Sequence, residues 1–386
     1  MDRPPTVDFA SAPFLVIWET TQACDLACRH CRASAEPGRH SEELTTAEGE
    51  RLLAETAAMG TPVFILSGGD PVKRPDLCAL IRCGKALGLR MGTIPAATDA
   101  LTEDLVRRLK DAGLDQMALS LDFPEAAQHD GFRGVPGAFA KTMAAVEWAH
   151  RWELPLQINT TLCGRSAPFL EQMVAVVDRL GIVFWEVFFL VPVGRGVALG
   201  GLSPAQCEAA FEILYRVQKR SSFIVKVTEA PHYRRYVAER EADAEKERAA
   251  PTGAPAMPQL LTRSEGPGHT VGLAPRGVNA GNGFAFVSHT GDVFPSGFLP
   301  LRAGNVRSQP LAEIYRESPL FRTLRDPGAL HGRCGRCEYV DICGGSRSRA
   351  YALTQNFLAT DPWCGYQPVS PPPQRLSARA GSFSGP

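Results

Sequence analysis

Three cysteines stand close together near the start of the chain, in the run Thr21-Gln-Ala-Cys24-Asp-Leu-Ala-Cys28-Arg-His-Cys31. Iron–sulfur clusters normally take four cysteine thiolates. Three thiolates hold three irons of a [4Fe–4S] cube and leave the fourth iron open to another ligand. An open iron on a redox cluster is a place for chemistry, so this spacing points to an enzyme rather than a passive electron carrier. Zinc sites usually pair their ligands as two separate CxxC knuckles, or as CxxC with histidines, which this run does not match well.

A second group lies near the other end: Cys334, Cys337, Cys343 and Cys364. Four soft ligands suit zinc or an iron–sulfur cluster, and spacing alone does not separate the two. Cys78, Cys83, Cys163 and Cys207 fall within regular segments and read as small buried apolar residues. Eleven cysteines in 386 residues are not the disulfide framework of a short secreted domain. A reducing cytoplasm suits cluster assembly. The 41 basic residues balance 41 acidic ones, so no basic excess argues for nucleic acid. No apolar run is long enough to span a membrane, and residues 1–13 lack the pattern of a secretory signal.

The elements that must position these groups alternate from Phe14 to about Gln218. Strands are expected at 14–19, 62–66, 89–94, 115–121, 154–160 and 183–190, with helical patterns between them. Continuous apolar runs such as Val63-Phe-Ile-Leu66 are those of strands buried on both faces. Thr45 with Glu48, and Ser203 with Pro204 and Gln206, are capping boxes that open helices. Repeated strand–helix order implies a parallel sheet, and six units suggest a partial barrel. In such barrels the active site lies at the carboxyl ends of the strands. Strand one leads to the three cysteines, strand two to Ser67-Gly68-Gly69-Asp70-Pro71, and strand three to Thr98 and Asp99. Strand four ends in Ser120-Leu-Asp122, strand five in Asn159-Thr160-Thr161, and strand six runs into Pro192-Val-Gly194-Arg195-Gly196. Beyond the barrel, residues 238–249 are a charge-dense run, 251–283 read as a Pro- and Gly-rich loop or lid, and 367–386 read as a disordered tail.

The three-cysteine spacing resembles the cluster motif of the radical S-adenosylmethionine (radical SAM) superfamily. That resemblance implies an α/β fold, a partial (β/α)6 TIM-type barrel with a small C-terminal α+β iron–sulfur module. The expected division is an N-terminal extension at 1–13, the barrel at 14–222, a linker and substrate lid at 223–283, and the auxiliary module at 284–366. The implied chemistry is reductive cleavage of SAM, bound at the open iron, to a 5′-deoxyadenosyl radical that removes a substrate hydrogen. Gly68-Gly69-Asp70 resembles the family's Gly-Gly-Glu motif, whose backbone holds the SAM ammonium; Asp70 is one methylene shorter than the usual glutamate. His30 stands where an aromatic residue normally packs near the adenine. By the same resemblance Ser120 and Arg133 are expected at the SAM carboxylate and Asn159 at the ribose. An electron donor of flavodoxin or ferredoxin type is implied.

Gly291-Asp-Val-Phe-Pro-Ser296-Gly-Phe-Leu-Pro300 and the four later cysteines resemble the SPASM or Twitch extension of radical SAM maturases. Full SPASM domains use about seven cysteines for two clusters, usually with one where Ser296 stands. One auxiliary [4Fe–4S] cluster is therefore expected, with Cys334, Cys337, Cys343 and Cys364 as ligands. The C-terminal part, with Cys343-Gly-Gly-Ser-Arg347-Ser-Arg349 and Asp361-Pro-Trp-Cys364, resembles a subgroup acting on tetrapyrroles in haem biosynthesis. The segment Thr228-Glu-Ala-Pro-His232-Tyr233-Arg234-Arg235 resembles instead a sister family of SPASM-type proteins.

For a porphyrin-like acid, the resemblance implies oxidative decarboxylation of a propionate to a vinyl group, with the auxiliary cluster as electron acceptor. Arg195, Arg234, Arg235, Arg347 and Arg349 are then candidates to pair with propionates, and His232 or Tyr233 to approach iron or a ring face. The alternative is radical modification or crosslinking of a ribosomally made peptide. SPASM-type enzymes of that kind often carry a leader-binding domain, for which there is no room before the first strand; a separate partner would have to replace it. A non-catalytic iron–sulfur electron carrier is a third reading, but it explains neither the three-cysteine site nor the glycine loop.

Overall fold

The computed structural model describes residues 7–248 and 277–369. Seven strands, β1 (Leu15–Glu19), β2 (Val63–Ser67), β3 (Arg90–Thr93), β4 (Gln116–Ser120), β5 (Leu156–Leu162), β6 (Phe184–Phe189) and β7 (Ile224–Thr228), lie side by side in chain order. Each pairs in parallel with the next. Among the connecting helices, α1 (Thr46–Ala58) opens on the expected capping box: Thr45 Oγ1 accepts from the Glu48 amide, and Glu48 accepts from the Thr45 amide. α2 (Leu77–Ala86), α3 (Glu103–Asp111), α4 (Ala126–Arg133), α5 (Ala138–Arg151) and α6 (Leu170–Val177) follow. α7 (Pro204–Arg220) has the second expected box at Ser203 and Gln206, and α8 (His232–Arg248) closes the run.

The main core lies between sheet and helices. Trp18, Phe64, Leu66, Leu52 and Leu80 meet there with almost no exposure. Trp18 fits because α1 carries Gly49 against it; a Cβ there would lie 2.6 Å from the indole. Alternation then sends Glu19, the neighbour of Trp18, to the other face. Register puts Ser120, Asn159, Glu186 and Lys226 opposite one another on four successive strands, a polar row on the concave side.

Two features differ from the sequence expectation. The sheet does not stop at 222: β7 adds to β6 within the stretch expected as linker. Its Ile-Val-Lys-Val-Thr run is short and interrupted by Lys226, which hides the apolar signal. The later strands also form no separate sheet. β8 (Phe284–Val287) pairs in parallel with β1, and β9 (Asp292–Phe294) and β10 (Gly304–Asn305) continue antiparallel, giving one ten-stranded sheet. An uncovered β1 would present unpaired backbone groups; β8 satisfies them. Most of the loop or lid expected over 251–283 lies outside the described residues, as do the first six residues, residues 249–250 and the tail from 370.

Candidate active site

The loop after β1 is fixed by backbone contacts and by the Arg195 side chain. Thr20 donates to the Ser67 carbonyl from its amide (2.8 Å) and hydroxyl (2.9 Å). The Gly69 amide donates to Thr21 O and the Asp70 amide to Ala23 O, both at 2.7 Å. A Cβ on Gly68 (φ +151°) would lie 2.4 Å from Thr21 O, and one on Gly69 2.5 Å from Gln22 O, so this close approach requires glycine at both. On the opposite side Gly194 (φ +54°) abuts Cys31 O and Arg32 O in the same way. Its neighbour Arg195 donates from its amide to Cys31 O (3.0 Å), from Nε to Cys28 O (2.9 Å) and from Nη1 to Ala35 O (3.2 Å).

Each of the three sulfurs meets one donor. The Leu26 amide lies 3.4 Å from Cys24 Sγ, the Ala35 amide 3.4 Å from Cys31 Sγ, and Arg133 Nη1 3.7 Å from Cys28 Sγ. Burial pushes the Cys24 thiol up to about 12 and raises Cys28 as well. Such thiols ionise on taking iron and release protons as they do so. Three sulfurs, each with a positioned N–H donor, on a loop clamped by the ends of β2 and β6 fit a cluster with one open corner.

Around the loop, the His30 ring stacks on Phe132 (centroids 4.5 Å, 16° between planes). Burial holds its pKa down at about 4, so the ring is neutral, and its Nδ1 has no hydrogen-bond partner among the described residues. Arg133 spans Cys28 Sγ and Asp122, with Nη2 2.5 Å from Oδ2. It is thus committed to a carboxylate of the chain, not held free as an anion clamp. The Asp70 carboxylate accepts from the amides of Val72 and Ala96 and from the Thr98 hydroxyl. The shorter side chain pins the loop after β3, while its backbone stays on the cysteine loop. Ser120 is half-buried, and its hydroxyl has no hydrogen-bond partner among the described residues. Asn159 is buried beside it, accepting from Gln157 Nε2 at 2.6 Å.

The other four cysteines sit on α11 (Gly332–Arg336) and nearby loops, following α9 (Leu311–Glu317) and α10 (Pro319–Arg325) and flanking α12 (Arg347–Thr354). Cys334, Cys337, Cys343 and Cys364 ring one small cavity. Four thiols around one cavity are the donor set an iron–sulfur cube takes, and the one that a structural zinc takes as well. Cys343 Sγ takes the Gly345 amide at 3.4 Å and Cys334 Sγ takes Arg347 Nη2 at 3.6 Å. Burial pushes Cys343 up to about 12 and Cys364 to about 11.

The arginines expected to meet substrate are instead framework. Arg195 staples the cysteine loop. Arg234 donates to Val278 O (2.7 Å) and Ile342 O (3.0 Å), and Arg235 pairs with Glu208 and Glu239. Arg347 donates to Phe357 O and Ala359 O. Arg349 is fully buried against Asp361, donates to Glu229 O and lies 4.0 Å over Trp363. A buried guanidinium must find partners for its five donors, and in a module poor in regular structure the nearest are loop carbonyls. His232 is sealed against Phe211 and Asp361 with neither nitrogen hydrogen-bonded. Tyr233 donates to Gln218 from within the same core. Neither faces the barrel mouth.

Three groups at that mouth escaped sequence reasoning. Glu19, at the end of β1, meets Arg32 (2.7 Å) and His289 (3.0 Å). Glu186 meets Lys226 at 2.9 Å. Glu229, at φ +57°, accepts from the hydroxyls of Ser296, Ser346 and Ser348. The one available signal was a charged residue breaking an apolar strand, at positions 19, 186 and 226.

Fold and site together define an iron–sulfur enzyme on an open α/β barrel. Residues 18–164 match the model of the radical SAM superfamily, and residues 279–338 that of the SPASM iron–sulfur cluster-binding domain. The AdoMet-dependent heme synthase of Methanosarcina barkeri (strain Fusaro / DSM 804) is 39% identical over 94% of this chain and 99% of its own. That of Oleidesulfovibrio alaskensis is 37% identical over 96% and 92%. The structure of Streptococcus suis SuiB bound to S-adenosylmethionine superposes with a TM-score of 0.67 at 15% identity, over 92% of this chain and 78% of that one. The chain belongs to the radical SAM superfamily, with a SPASM domain on its C-terminal side. It is a radical SAM enzyme, and its cofactors are S-adenosylmethionine and iron–sulfur clusters. Among the described residues no helix is long and apolar enough to cross a membrane.

Proposed function

We propose that this enzyme oxidatively decarboxylates propionate side chains of an iron tetrapyrrole. One observation carries the reading: 39% identity, over nearly the full length of both chains, to a protein named AdoMet-dependent heme synthase. In this reading Cys24, Cys28 and Cys31 hold the SAM-binding cluster, and the Gly68-Gly69 backbone, His30, Ser120 and Asn159 border the SAM site. Cys334, Cys337, Cys343 and Cys364 hold the auxiliary cluster. The bound cofactors supply a 5′-deoxyadenosyl radical. Hydrogen is taken from the carbon β to the carboxylate; the C–C bond to the carboxylate then breaks, releasing CO2 and one electron to an acceptor and leaving a vinyl group. The chain's own part is to hold the cysteine loop rigid and to line the concave face with the polar row from Ser120 to Lys226. A cytoplasmic setting and a flavodoxin- or ferredoxin-type donor belong to the same proposal.

The test is an anaerobic reaction with ferric coproporphyrin III, SAM and a reductant. The expected product has lost the elements of formic acid for each propionate converted, with 5′-deoxyadenosine formed alongside. Deoxyadenosine without any change in the porphyrin would overturn the substrate assignment. Activity on a short peptide would put peptide modification in its place.

A further inference from the structure

We infer that His289 is the axial ligand that captures the iron of the tetrapyrrole substrate, with Glu19 and Arg32 holding its ring. The inference rests on the tetrapyrrole reading above. Its basis is a three-residue chain at the barrel mouth. Arg32 Nη2 lies 2.7 Å from Glu19 Oε1, and Glu19 Oε2 lies 3.0 Å from His289 Nδ1. Glu19 is buried, with a side chain only 2% exposed, so its charge needs partners. Arg32 and His289 are those partners, and together they hold its carboxyl below the usual range against the opposing effect of burial.

An imidazole that ligates a metal typically donates its other N–H to a carboxylate, which fixes the tautomer and the ring and makes the free nitrogen more basic. His289 has that arrangement. Its Nε2 has no hydrogen-bond partner among the described residues, and the side chain, 11% exposed, packs edge-on to the His40 ring at 5.5 Å. Among the described histidines it alone has a carboxylate at hydrogen-bond distance. His129 and His232 lie 4.0 and 3.8 Å from theirs, both in the core.

Position supports the role. Glu19 ends β1, a few residues before Cys24, and Arg32 directly follows Cys31, so the pair closes the base of the cysteine loop. His289 enters from the turn after β8, held where the Leu44 amide donates to its carbonyl at 2.7 Å. Iron bound on Nε2 would therefore sit beside the cluster loop. The Arg32 guanidinium carbon lies over the Phe286 ring, 4.6 Å from its centroid.

The test uses the anaerobically reconstituted full-length enzyme and two probes, ferric coproporphyrin III and metal-free coproporphyrin III. Wild type should bind the ferric probe more tightly and give the Soret shift and EPR signal of an imidazole-ligated ferric iron, changed from those of the free probe. His289→Ala and His289→Gln should lose that signal and bind the ferric probe about tenfold or more weakly, while binding the metal-free probe like wild type. Added imidazole should restore the signal in His289→Ala. Glu19→Gln should keep the ligand but weaken it by about tenfold or more. An unchanged ferric spectrum in both His289 variants overturns the inference and leaves the substrate reading standing. Equal wild-type affinity for the two probes, with no nitrogen-ligated signal, overturns it as well. Failure of wild type to bind either probe overturns the substrate reading itself.

Discussion

At the three-thiol loop the close walls are backbone: Gly68, Gly69 and Gly194 press against carbonyls of the cysteine loop and strand ends fix its path, with the side chains of Arg195 and Arg133 added to that frame. At the four-thiol cavity the walls are side chains. Arg234, Arg347 and Arg349 reach into loop carbonyls, and a single buried pair, Arg349 with Asp361, ties the last cysteine's segment down. In the proposed assignment the first arrangement would leave one iron corner without a protein ligand, and the second would supply a thiolate for all four corners while relying on charged forks where the sheet has ended. The difference matches a frame held by strand ends at the site proposed to bind S-adenosylmethionine and one held by side chains at the proposed auxiliary site.

The sharpest break between the two regions is expected from cysteine replacement. Cys24→Ala, Cys28→Ala or Cys31→Ala should abolish 5′-deoxyadenosine release, whereas Cys364→Ala should lower iron from about eight to about four per chain and keep some SAM cleavage. Deoxyadenosine yield and iron content read this directly, and full cleavage in any of the first three would erase the distinction. A smaller effect tests the stitching. Arg349→Met takes the guanidinium from buried Asp361 and leaves it the Ser346 and Trp363 amides and His232 at 3.8 Å, at a cost of about 3 kcal/mol. Adding Asp361→Asn should recover part of it, seen in chemical denaturation; identical curves for single and double variants would show that the pair does not act as a unit.

The smallest effect lies away from both sites, where the segment after β10 meets α1 at the surface. Arg307 pairs with Glu48 at 2.7 Å and holds its pKa near 2 instead of the ordinary 4.5. A lowered carboxyl stabilises the fold fully above about pH 4.5 and loses that contribution as pH falls towards 2. Because the pair is largely exposed, Arg307→Ala should cost at most about 1 kcal/mol at neutral pH and nothing below about pH 2. Thermal melts across that range would reveal it, and a constant difference would contradict the assignment.

How much of this was legible follows from the range of each interaction. The six early strands announce themselves because strands buried on both faces are continuously apolar, and both capping boxes are local patterns. The cysteine loop and Gly68-Gly69 were legible because their chemistry lies in short runs. β7 was not, since Lys226 breaks its pattern for a partner, Glu186, on the neighbouring strand. The arginines near residues 234 and 349 look like free cations in sequence, and only the fold shows which carbonyls take them. Glu19 and His289 stand 270 residues apart, and only the parallel pairing of β8 with β1 brings them together.

The most direct measurement is EPR of the reduced, anaerobically reconstituted enzyme before and after S-adenosylmethionine is added, repeated in Cys364→Ala. A changed cluster signal in both proteins is expected, because the proposal assigns the corner that accepts the sulfonium compound to the cluster of Cys24, Cys28 and Cys31. A spectrum that S-adenosylmethionine leaves untouched in wild type, or alters only while Cys364 is present, would contradict the account.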